Sequence, residues 1–306
     1  MQAILINEFG GADMMTYEAV ALPAPQAEEV LVRVEAAGVN PLDVKIIAGY
    51  MQSVFPVTLP YIPGTDFSGV IEAVGHQVDH LKPGDRVVGR TSPNNGGAFA
   101  RNLIIAAAEL SVIPAQMSFE QAATLPTSFG TAQQALFDVG QLQAKQRVLI
   151  HAGAGGVGSM AVQLAHHQGC HVIATASAHN TELVKSLGAD EVIDYRTQTL
   201  DGVHDIDLVL DTIGGDTLAA SWSTLRPGGR IVSLVDFNIA AQDGHPGEFV
   251  FFATATPYLP EAIQQFSAGR LQTVIDSSFK LSDARMALEK IAAGHARGKI
   301  LIRPHN

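Results

Sequence analysis

The sequence predicts an α/β protein of two parts, a twisted, barrel-like β domain and a doubly wound parallel sheet. Three observations support this prediction. Short apolar runs separated by Gly and Pro fill the chain up to about residue 120, a pattern typical of short strands joined by turns. Apolar strands then alternate with helical patterns, which indicates a parallel sheet covered by helices. A glycine-rich segment lies between one such strand and the next helix.

The first part is predicted to be a β domain because its apolar runs are short and bounded by turn residues. Its strand candidates are "EVLVRVEAAGVN", "FSGVIEAVG", "GDRVVGR" and "AFARNLIIA". The Lys-Pro-Gly-Asp sequence of Lys82–Asp85 predicts a turn before the third of these strands.

The second part is predicted to begin near residue 121 with a helical segment that Pro126 interrupts. Five strand candidates follow, at residues 147–151, 171–176, 191–194, 207–211 and 229–235. Helix candidates between and after these strands are "NTELVKSLG", "TLAASWSTL", "PYLPEAIQQFSAG" and "DARMALEKIAAG". The apolar run "EFVFFATA" is a candidate edge strand, and "GKILIRP" is a candidate last strand.

The segment "HAGAGGVGSMAVQLA" places Gly153, Gly155 and Gly158 in a G-x-G-x-x-G pattern. An apolar strand precedes the pattern and a helix follows it, which is the context of a dinucleotide-binding fingerprint. The glycines allow a tight turn, close approach of a pyrophosphate and close packing of helix on strand. Free N–H groups at the helix N-terminus attract phosphate. A plain glycine turn is the alternative, and the flanking elements favour cofactor binding.

The composition argues against several classes of protein. Hydrophobic residues make up 47% and charged residues 16% of the 306 residues, which favours a compact chain with two cores over a disordered one. The formal net charge of -11 argues against nucleic-acid binding, which needs a basic face. The sequence has no apolar run of membrane-spanning length and no basic leader, so we expect a cytoplasmic protein without a membrane partner. The single cysteine, Cys170, is interpreted as a small buried side chain rather than a reactive thiol.

Several segments together resemble the medium-chain dehydrogenase/reductase superfamily and, within it, the zinc-free quinone oxidoreductases similar to zeta-crystallin. They are "AAGVNPLDVKIIAGY", "PYIPGTDFSGVIEAVG", "KPGDRVVG", "GGAFA", "AATLPTSFGTAQQAL", "VLIHAGAGGVGSMAVQLA", "SLGADEVIDY", "DTIGGDT", "LRPGGRIVSL" and "GHARGKILI". The resemblance implies a GroES-like catalytic domain of residues 1–120 and 265–306, with a Rossmann domain of residues 121–264 inserted. It also implies a homodimer joined through the edges of the Rossmann sheets.

The resemblance also implies where metal ligands would lie. Zinc-dependent relatives carry a Cys, a Gly-His-Glu segment and a four-cysteine lobe. At the matching positions this sequence has Asn40 and Thr65–Asp66, and only the short stretch "RTSPNN" replaces the lobe. A catalytic zinc ion needs three protein ligands, and an amide is a poor one. The adjacent His166 and His167 would diverge on a helix. We therefore expect no metal site.

The cofactor is predicted to be NADPH, because the end of the second parallel strand carries Thr175 and Ser177 but no carboxylate. NAD enzymes usually place an acid there for the ribose hydroxyls. Ser177 and Asn180 can donate hydrogen bonds to a 2′-phosphate, and helix capping is their alternative role. The resemblance implies that Tyr195 packs near that phosphate, beside Arg196. It also implies further cofactor-binding residues, namely Thr131, Ala154, Gly155, Gly156, Val157, Thr175, Leu234, Phe252 and Lys299.

The candidate catalytic residues are Asn40, Lys45 and Tyr50. Asn40 could donate a hydrogen bond to a substrate carbonyl or to the nicotinamide ribose, and a turn role is its alternative. Lys45 matches a lysine of enone-reducing relatives and could stabilise an enolate, although a solvated helix lysine is nearly as good an interpretation. Tyr50 could stack on a quinone ring, and Met51 replaces it if the register shifts by one. Asp43 is expected to cap the short helix nearby.

The sequence therefore predicts an NADPH-dependent oxidoreductase that transfers hydride to quinones without zinc. Quinones and enones are already electrophilic, so hydrogen-bond donors can stabilise the developing oxyanion without a Lewis acid. Two alternatives stay open. One is an NADPH-dependent reductase of α,β-unsaturated carbonyls, which Lys45 favours. The other is a largely non-catalytic NADPH-binding protein, because no general acid is evident. The expected partners are a small-molecule quinone or enone and a second copy of the chain.

Overall fold

The computed structural model describes residues 1–305 and divides the chain into two compact units. Unit 1 comprises Met1–Thr127, Ala253–Ser267 and the residues from Thr273 onward. Unit 2 comprises Ser128–Phe252 and Ala268–Gln272. The domain bounds predicted from the sequence, 1–120 with 265–306 and 121–264, stay a prediction; in the structure residues 121–127 and 253–264 group with unit 1 and residues 268–272 with unit 2.

Side-chain contacts with other parts of unit 1 explain why residues near positions 123 and 253 group with that unit. Ala123 packs with Ala36 and Leu301 inside unit 1. The Arg90 guanidinium donates to the carbonyl oxygen of Ala253 at 2.7 Å. These contacts join residues far apart in the chain, so the local pattern at either junction did not reveal them.

The strands are, in chain order, β1 (Gln2–Ile6), β2 (Met15–Ala19), β3 (Glu29–Val39), β4 (Asp66–Val74), β5 (Arg86–Arg90), β6 (Asn102–Ala106), β7 (Leu110–Val112), β8 (Arg147–Ile150), β9 (His171–Ala176), β10 (Glu191–Asp194), β11 (Ile206–Asp211), β12 (Leu225–Ser233), β13 (Gly247–Phe249), β14 (Ile275–Lys280) and β15 (Lys299–Arg303). The α-helices are α1 (Pro41–Ile47), α2 (Phe119–Ala123), α3 (Leu125–Gln133), α4 (Gly156–His167), α5 (Thr181–Ser186), α6 (Gly215–Ser221), α7 (Leu259–Ser267) and α8 (Ala284–Ala292). A π-helical segment, Gln134–Val139, continues α3.

Unit 1 is built on a seven-stranded sheet in the order β14-β15-β3-β4-β5-β7, with β6 paired to β3. Its pairs are antiparallel except for β14 with β15. Along β3, Val30, Val32 and Val34 are fully buried while their neighbours are partly exposed, because alternate residues of a strand face opposite sides of the sheet. The longest strand therefore has one face in the core.

Unit 2 is built on a six-stranded sheet in the order β10-β9-β8-β11-β12-β13, and every pair is parallel. The chain runs from β8 outward to β9 and β10, then crosses back to β11 on the other side of β8. In such sheets the crevice outside the carboxyl ends of the strands at this switch point binds the ligand. The glycine-rich segment follows β8 directly.

The predicted strands of both parts are confirmed, but three expectations differ from the structure. The segment "EFVFFATA" contributes only its first two residues to a strand, β13 (Gly247–Phe249), which forms the sheet edge. The helix break falls at Thr124, and Pro126 is the second residue of α3, where the missing N–H is not needed. The strands β2, β7 and β14 were not predicted because they are short or largely exposed. Within residues 1–305, every helix is too short or too polar to cross a lipid bilayer.

Candidate active site

A cluster of polar side chains, buried except for the half-buried Thr127, lies in unit 1 where β3, β4 and β15 run side by side. It consists of Asn40, Asp43, Asp66, Arg90, Thr127 and Lys299, and we call it the Asn40 cluster. The sheet register brings its members together, because Gly38 pairs with Asp66 of β4 and Val39 pairs with Ile300 of β15. Gly38 is required here: a Cβ at this position would lie 2.6 Å from the carbonyl oxygen of Ala123.

The centre of the Asn40 cluster is the ammonium group of Lys299, the first residue of β15. Its Nζ donates to Asn40 Oδ1 at 2.6 Å and to Asp66 Oδ2 at 3.2 Å. Asn40 Nδ2 donates to the same Asp66 oxygen at 3.0 Å. These contacts fix the Asn40 amide, with its oxygen toward the cation and its NH2 group toward the carboxylate.

A second cation supports the carboxylate from the other side. Thr127 Oγ1 donates to Asp66 Oδ1 at 2.6 Å and accepts from Arg90 Nε at 3.1 Å. Burial lowers the pKa of the Arg90 guanidinium, and the nearby carboxylates, Asp66 first, oppose this shift. The buried Asp66 carboxylate thus lies between two cationic side chains, an arrangement that compensates its lost hydration.

Asp43 caps α1, as expected from the sequence. Its Oδ2 accepts the backbone N–H of Asn40 at 2.7 Å, while Oδ1 has no hydrogen-bond partner among residues 1–305. Burial is the main reason that the pKa of Asp43 rises to about 7, with a further contribution from the negative charge of Asp66. The Asn40 backbone hydrogen bond and the Lys299 and Arg90 charges act in the opposite direction.

The residues at the positions of zinc ligands do not fit a zinc ion. Asn40 Oδ1 and Asp66 Oδ2, the oxygens that could face a cation, already accept hydrogen bonds from the Lys299 ammonium. Thr65 supplies only a buried hydroxyl. Within residues 1–305 no group of three or more His, Cys, Asp or Glu side chains could hold a metal ion. The donor set therefore lacks the thiolate and imidazole groups that zinc favours.

The glycine-rich segment of unit 2 fits a dinucleotide pyrophosphate. Gly155 is the N-cap of α4, no side chain of residues 1–305 caps this helix, and its first turn carries no acidic residue. The N–H groups of the first turn are thus open to an anion. A Cβ on Gly158 would lie 2.1 Å from the carbonyl oxygen of Ala152, so the helix approaches the loop as closely as the sequence pattern predicted. Ala154, Gly156 and Val157 lie in the same loop and first turn.

The residues predicted to bind the adenosine end follow β9 and β10. Asn180 Nδ2 donates to Ser177 Oγ at 3.3 Å, and neither side chain caps a helix. Asn180 Oδ1 has no hydrogen-bond partner among residues 1–305. Tyr195 is exposed, with the Arg196 guanidinium 5.8 Å from its ring centroid. Because capping does not use Ser177 or Asn180, both remain available to a ligand.

The remaining cofactor candidates are spread over both units. Thr131 is buried in α3, Leu234 directly follows β12, and Phe252 is half-buried at the end of the main segment of unit 2. Thr175 is buried, and its hydroxyl contacts His151 and the N–H of Ala152. Lys299 lies in unit 1 inside the Asn40 cluster, whereas the other candidates lie in unit 2.

Of the other catalytic candidates, Lys45 is half-buried in the last turn of α1. Tyr50 is 80% exposed, whereas Met51 is buried in the core, so an aromatic surface is available only from Tyr50. Cys170 is buried and burial raises its pKa to about 11, which agrees with its interpretation as an unreactive thiol.

Sequence reasoning did not single out Arg90, Thr127, His151 and Ser221. Each contacts a partner at least 24 positions away in the chain, so no spacing motif marks them. Asp66 was marked in the sequence only by its match to a metal-ligand position of zinc-dependent relatives.

Comparisons with known proteins agree with this architecture. Residues 26–121 match the family described as the alcohol dehydrogenase GroES-like domain, and residues 187–302 match the one described as zinc-binding dehydrogenase. The chain is 35% identical over 329 residues to a quinone-oxidoreductase homolog, chloroplastic, of Spinacia oleracea, with 99% of this chain and 98% of the relative covered. It is 32% identical over 317 residues to an NADPH-dependent alkenal/one oxidoreductase, chloroplastic, of Arabidopsis thaliana, with 99% and 80% covered.

Among solved structures, the quinone oxidoreductase of Escherichia coli complexed with NADPH has a TM-score of 0.88 at 27% identity, with 99% of this chain and 100% of that chain covered. The match extends over both units. The fold is therefore a GroES-like domain combined with a Rossmann-type parallel sheet, as predicted.

Proposed function

Because the chain belongs to the quinone oxidoreductase family of the medium-chain dehydrogenase/reductase superfamily, we propose that it transfers hydride from NADPH to quinones without a catalytic zinc ion. Membership in this family makes it an NAD(P)H-dependent oxidoreductase. The observation that carries the zinc-free part of the proposal is the Lys299 ammonium bound by Asn40 and Asp66. A fixed cation there supplies the charge that zinc supplies in metal-dependent relatives.

The choice of NADPH is supported by the end of β9. No carboxylate stands between Thr175 and Asn180, so nothing there repels a 2′-phosphate. Ser177 and Asn180 offer hydrogen-bonding groups that no helix cap uses. Arg196, beside Tyr195, adds a positive charge. Two of the relatives compared bind or use NADPH by name.

The residues of the Asn40 cluster have a defined task in this reaction. When bound, NADPH supplies a hydride to the acceptor. Asn40 donates one amide N–H to Asp66, and in the proposed reaction its second N–H donates to a substrate carbonyl oxygen. The Lys299 ammonium, 2.6 Å from Asn40 Oδ1, polarises the amide and stabilises the negative charge that develops on that oxygen. One proton from solvent completes the two-electron reduction of quinone to hydroquinone.

Reduction of α,β-unsaturated carbonyls is the second candidate function. The relative named as an alkenal/one oxidoreductase supports it, and so does the half-buried Lys45 on α1. The chemistry needs the same stabilised oxyanion, because hydride addition to an enone produces an enolate.

The proposal also includes that the protein forms a homodimer and is located in the cytoplasm. The β13 strand forms one edge of the parallel sheet, and an edge strand is a surface on which another strand can pair. Exposed Phe237 packs on Phe249 of this strand, with ring centroids 4.4 Å apart. The cytoplasmic location stays a prediction from the sequence; the two plant relatives are chloroplastic by name.

The experiment that tests the function is a steady-state assay of NADPH oxidation with a naphthoquinone and, separately, with a short enone. We expect faster turnover with the quinone, unchanged by prior treatment with a chelator. Asn40→Ala should lower kcat by about 100-fold, the typical effect of removing one oxyanion donor, whereas Asn102→Ala, a surface amide of unit 1, should not. Stoichiometric zinc in the active protein, or no acceleration by either acceptor, would contradict the proposal.

A further inference from the structure

His151 is a fully buried histidine with partners on both ring nitrogens. It directly follows β8 and precedes the glycine-rich segment. Its Nδ1 lies 3.2 Å from Thr175 Oγ1, at the end of β9, and its Nε2 lies 2.8 Å from Ser221 Oγ on α6. The imidazole therefore bridges β9 and α6. Thr175 lies 24 positions and Ser221 lies 70 positions from His151 in the chain.

The proton positions in this bridge can be assigned because the neutral imidazole and each hydroxyl group carry one hydrogen that can be donated. Ser221 Oγ donates to the carbonyl oxygen of Thr217 at 2.7 Å, so it accepts from the His151 Nε2–H. The neutral ring then accepts at Nδ1 from the Thr175 hydroxyl. With its own hydrogen used, Thr175 Oγ1 accepts the backbone N–H of Ala152 at 3.1 Å. Only this assignment satisfies all four contacts with one hydrogen on each group.

The last link of the bridge is a strained residue of the loop. Ala152 has φ 52°, a left-handed conformation that is strained for an L-residue with a side chain. Thr175 holds this loop twice, since its hydroxyl accepts the Ala152 N–H and its carbonyl accepts the Gly153 N–H at 2.9 Å. The Ala152 carbonyl in turn accepts the N–H of Gly155 at 2.9 Å. The strain is thus balanced by hydrogen bonds that begin at His151.

We propose that His151 is a positioning residue for the dinucleotide: as a neutral imidazole it fixes the Thr175 hydroxyl, which holds Ala152 in the left-handed conformation that presents the glycine loop to the pyrophosphate. The inference rests on the proposed binding of NADPH at this loop. It also assigns the predicted cofactor residue Thr175 to the support of the loop. Burial lowers the pKa of His151 to about 4, which the Asp211 charge opposes, so the ring stays neutral at physiological pH.

The test compares NADPH affinity, measured by calorimetry, for five variants. His151→Leu removes both hydrogen bonds and should raise the Kd by about 10-fold, the equivalent of one lost buried hydrogen bond, with the kinetic loss in the KM for NADPH rather than in kcat. His151→Gln, which can donate and accept, should recover part of the affinity. Thr224→Val, which removes a buried hydrogen bond to the backbone carbonyl of Ser221 but leaves the Ser221 hydroxyl in place, should lower the melting temperature without changing the Kd.

The fourth and fifth variants, Ala152→Gly in the His151→Leu background and Ala152→Gly alone, test the role of strain. Ala152→Gly in the His151→Leu background removes the conformational penalty, so it should restore more affinity there than it adds to the otherwise unchanged protein. If His151→Leu does not fold, Ser221→Ala makes the same comparison, because it removes the acceptor of Nε2–H. An unchanged Kd in the His151→Leu or Ser221→Ala variant would overturn the inference. Failure of the unchanged protein to bind NADPH would instead overturn the proposed function.

Discussion

Lys299 Nζ lies 2.6 Å from Asn40 Oδ1, although 259 positions separate the two residues in the chain. This contact decides which way the Asn40 amide points, because an amide must turn its oxygen toward a cation. It also brings the Lys299 ammonium against the amide that carries the proposed substrate-binding N–H. The same ammonium neutralises Asp66, so stability and chemistry depend on one side chain.

Replacing Lys299 by Met should destabilise the protein by about 3 kcal/mol, because the Asp66 carboxylate would lose one of its two buried cations. Adding Asp66→Asn to Lys299→Met should recover much of that loss, since no uncompensated carboxylate remains. Urea unfolding of the two single variants and the double variant measures the coupling. Lys290→Met is the matched control: its ion pair with Asp276 is partly exposed, so its loss should be below about 1 kcal/mol. Additive effects at Lys299 and Asp66 would contradict this account.

Asp43 should make the protein less stable as the pH rises. Its pKa is about 7 in the folded protein against 3.8 for the ordinary carboxyl group, so the folded state binds the proton more tightly than the unfolded state. The stabilisation is complete below pH about 4 and is lost as the pH rises through about 7. Asp43→Asn keeps an acceptor for the Asn40 N–H but carries no charge. Its melting temperature should exceed that of the unchanged protein at pH 8, and this advantage should disappear near pH 4. An equal difference at both pH values would show that Asp43 does not titrate in this range.

A carboxylate at the end of β9 should reverse the cofactor preference. Ser177→Asp places a negative charge where the 2′-phosphate is expected, so we expect the Kd of NADPH to rise by about 10-fold or more and that of NADH to change little. His179→Asp makes the same change of charge at an exposed position two residues away and controls for long-range repulsion. Calorimetric titration with each nucleotide measures the ratio. Equal effects of the two variants would place the phosphate elsewhere.

The chain should form a dimer through the β13 edge. Phe237 is 50% exposed and packs on Phe249 of that strand, so Phe237→Asp should put a charge into the contact and shift the protein to monomers. Tyr17→Asp, on an exposed strand of unit 1, should leave the dimer intact. Sedimentation velocity at several concentrations distinguishes the two. A monomeric unchanged protein, or a dimer that survives Phe237→Asp, would exclude this edge as the interface.

The relation between sequence and site differs between the two units. In unit 2, the glycine pattern, the missing carboxylate after β9 and the alternation of strands with helices all follow from residues close together in the chain. Their geometry is the standard geometry of a parallel sheet, so the place of the loop was predictable. The support of that loop was not, because His151 reaches Thr175 and Ser221 through the interior.

The sequence by itself determined the two-part architecture, the nucleotide fingerprint and the absence of cysteine and histidine at positions 40, 65 and 66. These depend on periodicity and residue type, which are local properties. Only the tertiary structure decided that Lys299 fills the position between Asn40 and Asp66, that Asp43 is buried with one oxygen unpaired among residues 1–305, and that Thr175 supports the loop. The physical reason is that pairing of β15 with β3, and of β3 with β4, brings distant residues within hydrogen-bond reach, and nothing in the local pattern encodes which side chains then meet.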